Sequence, residues 1–146
     1  MLLFAFVASA CTSITPPPSP EAARIELRLA LSKAAAYDRV VAAFVAEGLT
    51  PAAGSQDAGL VASVPVDVAP SVPATYRATI VMVDSSSSIA LTGTIRNEQG
   101  AAMGQYMTGM RLDPGDQPLH SAMTGKLGEA WQRLERVAAR LRSDNR

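Results

Sequence analysis

The stretch YRATIVMVDSSSSIALTGTIR, residues 76–96, decides the fold because its apolar side chains return at every second position on both sides of a serine-rich centre. The apolar positions are Tyr76, Ala78, Ile80 and Met82 before that centre and Ile89, Leu91, Gly93 and Ile95 after it. A period of two is typical of strands that bury one face. Aspartate and serine favour turns, so residues 84–88 predict the turn of an antiparallel β-hairpin.

Upstream of the hairpin, the chain predicts a strand followed by a helix. The strand begins near Arg24 and shows the same alternation, with Ile25, Leu27, Leu29 and Leu31 on one side. Ser32 is a favourable N-cap, and Gly48 is the usual stop signal for a helix. Between them, apolar residues recur at three- and four-residue steps, at Tyr37, Val40, Val41, Phe44 and Val45.

In the remaining segments, apolar residues follow a clear period only in the last one. Residues 51–59 are turn-prone, a second strand is expected around residues 60–66, and the loop after it carries several prolines, which favour a sheet edge. Residues 99–119 are rich in glycine and methionine, and either a strand near residues 103–112 or an irregular loop fits them. The last segment predicts a long amphipathic helix. Its apolar face consists of Met123, Leu127, Ala130, Trp131, Leu134, Val137, Ala138 and Leu141.

These elements predict an α+β domain in which two helices pack on one face of a mainly antiparallel sheet of about four strands, in the order β-α-β-β-β-α. The other sheet face is expected to be polar. The helix run AYDRVVAAFVAEGL, residues 36–49, and the later Ala58-Gly59-Leu60-Val61 belong to an order of elements that resembles helix-grip domains of outer-membrane assembly lipoproteins. The resemblance covers roughly residues 24–141 and implies a non-enzymatic role in the cell envelope.

The N-terminal residues predict export and lipid attachment. Residues 1–10 are interpreted as a signal peptide, since their apolar core is far shorter than the roughly 20 residues of a membrane-spanning helix. Ala8-Ser9-Ala10-Cys11 resembles the lipobox of bacterial lipoproteins, in which the cysteine is acylated and becomes the first residue of the mature protein. The resemblance implies that Cys11 carries a lipid anchor.

The residues after Cys11 bear on location. Thr12, rather than aspartate, follows the cysteine, and the lipoprotein resemblance then implies an outer-membrane anchor on the periplasmic face. Residues 12–20 contain four prolines. They predict an extended tether that could hold the domain about 25 Å from the lipid surface, at about 3.1 Å per residue. Alternatively, Ala8-Ser9-Ala10 is a general signal-peptidase site, which would leave a free thiol on a soluble periplasmic or secreted protein.

Composition and cysteine content favour one compact domain, residues 21–146. The chain has 48% hydrophobic residues and a formal net charge of zero, which argues against disorder and against nucleic acid as a partner. Its single cysteine excludes a disulfide within the chain. The expected partners are the membrane, through acylated Cys11, and another envelope protein.

A search for catalytic and metal-binding patterns predicts no enzyme and no cofactor. The only histidine, His120, has no second nitrogen or thiolate ligand for a conventional zinc site, and we interpret it as a helix-start residue. Met103, Met107 and Met110 are an alternative metal site, because thioethers bind Cu(I). Methionine more often fills irregular cores and adaptable surfaces.

Two surfaces are binding candidates. The first is the outward sheet face, formed by Arg28, Arg77, Thr79, Thr92, Thr94 and Arg96 together with Glu26. Its simpler explanation is a face that is merely solvated. The second is the arginine-rich end of the last helix, with Arg133, Arg136, Arg140 and Arg142, where positive charge also complements the helix dipole.

These observations predict a lipid-anchored, non-catalytic envelope protein that binds a partner or supports assembly at the outer membrane. The alternative is a small-molecule or lipid carrier, which needs an apolar cavity between the helices and the sheet.

Overall fold

The computed structural model describes residues 19, 21–70, 72–96 and 116–143. Cys11, the three methionines and the strand expected near residues 103–112 lie outside these ranges. The elements are, in chain order, β1 (Arg24–Leu29), α1 (Lys33–Ala46), β2 (Pro51–Ser55), β3 (Leu60–Ser63), β4 (Val66–Ala69), β5 (Val72–Val83), β6 (Ser86–Arg96), β7 (Asp116–Pro118) and α2 (Gly125–Ser143).

The predicted hairpin is confirmed and forms the centre of the sheet. Strands β5 and β6 pair antiparallel from Ala74 opposite Ile95 to Val83 opposite Ser86. The loop between them is therefore only two residues long, and Asp84 has the positive φ, +58°, that aspartate tolerates in turns. Ser86, Ser87 and Ser88, which we had expected in the turn, belong to β6.

Short strands flank this hairpin in pairs. Strands β1 and β7 lie end to end along β6, while β3 and β4 lie end to end along β5, and β2 pairs with the outer side of β3. All these pairings are antiparallel, and the described residues form one sheet of seven strands.

The predicted α+β class is correct, but the prediction of about four strands in the order β-α-β-β-β-α is wrong. The three missed strands, β2, β4 and β7, have five residues or fewer. They also carry or adjoin proline, which usually interrupts a strand. Such segments are too short to show the alternation by which a strand is recognised in a sequence.

Both helices pack on the same face of the sheet. Ser32 caps α1 by accepting a hydrogen bond from the Ala35 amide at 3.3 Å, and the helix ends before Gly48, at φ +72°. The buried residues of α1 are Ala36, Val40, Ala43 and Phe44, and those of α2 are Gly128, Ala130, Trp131, Leu134, Val137, Ala138 and Leu141. Val45, which we had expected to be buried, is 59% exposed. Among the described residues, neither helix has the length and apolar character needed to cross a membrane.

The layer between helices and sheet is filled by large side chains. Tyr76 and Ile89 from the central strands and Phe44 and Leu134 from the helices are all almost completely buried. Two buried polar groups have partners, since the Tyr76 amide donates to Ser63 Oγ at 3.0 Å and Ser87 Oγ donates to the Leu31 carbonyl at 2.9 Å. The sheet is therefore closed by the helices on one face and exposed on the other.

Candidate functional site: the open sheet face

The open sheet face is the side of the central strands that the helices leave exposed. Its side chains are Arg24, Glu26 and Arg28 on β1, Ser88, Ala90, Thr92, Thr94 and Arg96 on β6, and Thr75, Arg77, Thr79 and Val81 on β5. All of them are exposed or half-buried, whereas the alternate residues of the same strands face the core. The alternation predicted from the sequence thus sorts the residues onto two faces.

The structure brings the six predicted site residues together on this face. Thr92 lies between Arg24 of β1 and Arg77 of β5, so that three strands contribute neighbouring side chains to one row. The adjacent rows pair Thr79 with Ala90 and Thr94 with Thr75. Directly opposite residues in an antiparallel pair have Cβ atoms about 4.5–5.5 Å apart, which is within contact distance.

Only some of the charged side chains on this face form ion pairs. Arg24 forms an ion pair with Glu26 at 2.6 Å, and Arg96 forms one with Asp116 at 3.1 Å. Arg28 and Arg77 have no ion-pair partner among the described residues. Two exposed guanidinium groups are therefore available to an approaching anion, and each can donate several hydrogen bonds to a carboxylate.

The middle of the open sheet face carries small and partly apolar side chains. Strand β6 presents the small side chains Ser88 and Ala90, and the neighbouring Val81 is 54% exposed. At one end, a groove of about 170 Å³ runs past Thr75, Thr94 and Arg96. A surface of this kind can accept an extended chain, with hydroxyl and guanidinium groups beside small apolar contacts.

No protein-family model matches the chain. A search among curated proteins gives no match either.

Sequence reasoning missed several residues of the open sheet face. Arg24 and Thr75 lie on the same side of their strands as the predicted residues. The first strand was already predicted to begin near Arg24, and extending the hairpin by one residue before Tyr76 would have included Thr75. Ser88 was assigned to the turn because the true loop is shorter than expected. Val81 was placed correctly on the outward side of the hairpin but was not considered as a contact residue.

The second predicted surface, the arginine-rich end of α2, is engaged in contacts within the molecule. Arg136 and Arg140 bind the two carboxylate oxygens of Glu47, at 2.8 and 2.7 Å. The Glu47 side chain is only 8% exposed. Burial acts to raise the pKa of this carboxyl group, but hydrogen bonds and charges from the two arginines outweigh it and hold the pKa below its usual value. These two arginines therefore join α2 to the end of α1.

His120 lies in the turn before α2, apart from the open sheet face. His120 precedes α2, which begins at Gly125, so it is not a helix-start residue. Its Nδ1 atom is buried and has no hydrogen-bond partner among the residues that the structure describes. In the part of the chain that the structure describes, histidine and acidic residues form no group of three that could hold a metal ion. The alternative site at Met103, Met107 and Met110 lies outside it, so the absence of metal, cofactor and catalysis stays a prediction.

Proposed function

We propose that the chain is a lipid-anchored, non-catalytic protein of the bacterial envelope, whose open sheet face binds an acidic, extended segment of another envelope protein. The observation that carries the proposal is two guanidinium groups, of Arg28 and Arg77, that form no ion pair with any described residue and lie on a face rich in small residues and threonine. Acylated Cys11 holds the protein at the outer membrane, on the periplasmic side.

The charge pattern supports an acidic partner. The open sheet face carries the guanidinium groups of Arg24, Arg28, Arg77 and Arg96 and the carboxylate of Glu26. Asp116 and Asp67 lie at its end, opposite Arg96 and Pro73, so positive charge is in excess by one. Arginine binds carboxylates through two parallel hydrogen bonds, which gives direction as well as attraction. Threonine hydroxyl groups can both donate and accept, and they suit the peptide groups of an extended segment.

The sequence of the tether supports a membrane-proximal position. Residues 12–20 separate Cys11 from the turn that leads into β1. An extended proline-rich segment of this length keeps the domain near the membrane while leaving the open sheet face free to meet proteins in the periplasm.

Core packing favours protein binding over the carrier alternative. A carrier of the expected kind needs an apolar cavity between helices and sheet, and that layer is occupied by buried side chains such as Phe44, Tyr76 and Leu134. The grooves lined by described residues lie at the surface and carry charged side chains.

The proposal is tested by photo-crosslinking in living cells. A photoreactive residue is placed at Thr79 on the open sheet face, with Ala34 on the exposed side of α1 as the matched position. We expect a discrete protein adduct from Thr79 only. The double substitution Arg28→Glu, Arg77→Glu should reduce its yield at least tenfold, since each lost pair is a charge-assisted contact.

Arg142→Glu is the matched charge reversal, because it lies on α2 and outside the open sheet face, and it should leave the adduct unchanged. Equal adducts from Thr79 and Ala34 would refute the assignment of the face. An adduct that persists in the double variant would refute an acidic partner.

A further inference from the structure

The sheet runs in the order β1-β6-β5-β3-β2, and its two end strands differ in how their outer edges are protected. An exposed edge presents unpaired backbone groups to which another strand can pair, and proteins usually interrupt such an edge with proline or a bulge. Strand β2 has both, since it begins at Pro51 and its register shifts between Pro51 and Ala53. Strand β1 has neither, and its register with β6 is unbroken along the whole strand. The outer edge of β1 is therefore regular enough to take a further strand.

The backbone groups of Glu26 and Arg28 point to this outer edge. On β6, the Gly93 carbonyl accepts a hydrogen bond at 2.8 Å from the amide of the residue after β7, on the side of β6 that also holds β1. Successive residues of a strand direct their backbone groups to opposite edges, so Leu91 also points to β1, where it lies opposite Ile25. Ile25 therefore bonds β6, while Glu26 and Arg28 point away from it. No described residue forms a backbone hydrogen bond with either of them on the outer edge.

The side chains along the outer edge of β1 alternate in charge. Arg24, Glu26 and Arg28 are all exposed on the open sheet face. Arg24 pairs with Glu26 at 2.6 Å, whereas Arg28 forms no ion pair with any described residue. Charges on an edge strand deter pairing when like charges lie opposite each other. An antiparallel second copy, shifted so that Glu26 lies opposite Arg28, avoids this repulsion and gives Arg28 the carboxylate it lacks.

We propose that the chain forms a symmetric dimer through the outer edge of β1, in which Glu26 of each copy lies opposite the partner's Arg28. Two-fold symmetry makes this contact twice. In both contacts the backbone groups of the two residues point at each other, so about four backbone hydrogen bonds join the strands. On the face toward the helices, Leu27 lies opposite the partner's Leu27, and the half-buried Ile25 lies opposite the partner's Leu29.

The dimer goes beyond the proposed function and does not depend on it, because it needs neither the anchor nor another protein. Residues opposite each other in an antiparallel pair project to the same face, so the two open sheet faces lie on the same side. The Arg77 side chains of both copies then belong to one continuous surface. Arg28 carries five N–H donors and can bind a further acidic group besides the partner's Glu26.

The dimer is tested by sedimentation equilibrium of the full chain carrying Cys11→Ala, which excludes a dimer linked through that thiol. We expect a monomer–dimer equilibrium. Glu26→Arg and Arg28→Glu should each weaken it about tenfold or more, since both attractive pairs become repulsive. The double variant Glu26→Arg, Arg28→Glu should restore nearly the native affinity, because each reversed residue again meets an opposite charge. Asp57→Arg, the same reversal in the turn before β3, should leave the affinity unchanged.

Glu26→Pro tests the backbone contacts separately from the charges. The Glu26 N–H does not pair with β6, so the fold should survive, as it does for proline on other edge strands. The proline ring blocks the outer edge of β1, and the dimer should be lost. In the chain without this substitution, hydrogen exchange at the Arg28 amide should slow as protein concentration rises. Exchange at the Ile25 amide, which already bonds β6, should change little.

Three results would overturn the proposed dimer. The first is a chain that stays monomeric up to about 1 mM, where even weak association is populated. The second is a dimer that persists in Glu26→Pro, and the third is a double charge variant that associates no more tightly than the single ones. If Glu26→Pro fails to fold, the restoration of the dimer by the double charge variant decides the result.

Discussion

At the residue scale, Glu47 shows how a carboxylate can be kept charged in an unfavourable place. It is the C-cap of α1, where the helix dipole presents partial negative charge, and its side chain is almost buried. Both conditions disfavour the charged form of this carboxyl group. The guanidinium groups of Arg136 and Arg140 reverse this balance, since each donates a short hydrogen bond to one oxygen.

We predict that Glu47→Gln lowers the free energy of unfolding at neutral pH by about 1–2 kcal/mol, because the almost buried carboxylate loses two charge-assisted hydrogen bonds from arginines that are about half exposed. The folded-state pKa of Glu47 lies below its ordinary value of 4.5, so the contribution is complete above that pH and disappears as the pH falls through the folded-state pKa. Urea unfolding at a series of pH values measures the difference.

The matched control for this prediction is Glu129→Gln, which breaks an exposed pair with Lys126. It should change the free energy of unfolding by less than about 0.5 kcal/mol, as is usual for exposed ion pairs. The native chain and Glu47→Gln are compared by their free energies of unfolding. A difference that stays constant from neutral to acidic pH would show that packing, not charge, is responsible.

At the element scale, the turn before β3 is fixed against the central hairpin. Gly59 has φ +68°, and its carbonyl accepts a hydrogen bond from the Ile80 amide at 2.7 Å. A Cβ atom at this position would run into the Ile80 carbonyl group and would lie 2.8 Å from Lys33 Cε. Lys33 also donates to the Asp57 carbonyl, so α1, the turn and β5 meet at one point.

We predict that Gly59→Ala destabilises the domain by about 3 kcal/mol or more, since it adds a steric clash to an unfavourable backbone conformation. Gly48→Ala is the control, because its φ is also positive, at +72°, but nothing lies within 4 Å of the added Cβ atom. It should cost only about 1–2 kcal/mol, the cost of the left-handed conformation. Thermal unfolding of both variants measures their losses of stability. Equal losses would contradict the predicted steric clash at Gly59.

The elements that sequence reasoning predicted are those long enough to show a period. The hairpin and α2 were predicted because their alternation and helical repeat persist over many residues. Strand β4 was missed because it lies among prolines. The open sheet face could be predicted from the alternation of residues along each strand, whereas the ion pairs of Glu47 with Arg136 and Arg140 could not, since they depend on how α2 packs beside the end of α1, far away in the sequence.

At the scale of the whole molecule, the two faces of the sheet differ in what covers them. The helices cover one face, whereas the open sheet face, to which our proposal assigns partner binding, is exposed among the described residues. Residues 12–20 separate the proposed attachment site, Cys11, from the turn before β1, so the proposed anchor and the proposed binding face use separate parts of the chain.

We predict that the protein isolated from bacterial membranes has the mass of a chain starting at Cys11 plus covalently attached acyl groups. Cys11→Ala should remove the added mass and release the protein into the soluble fraction. Intact-mass spectrometry of both forms makes the measurement. An unmodified mature chain with a free Cys11 thiol would contradict the anchor and support simple secretion.

The end-to-end placement of short strands along the central hairpin also sets the order in which the domain assembles. Strands β5 and β6 are joined by two residues and can pair locally, while β1 must wait for β6, since Ile25 lies opposite Leu91. Contacts between residues close in sequence form sooner, because less chain entropy is lost in closing the loop. In the export that we propose, the first strand to emerge is therefore among the last to dock, and its apolar side stays uncovered until the second half of the chain has followed.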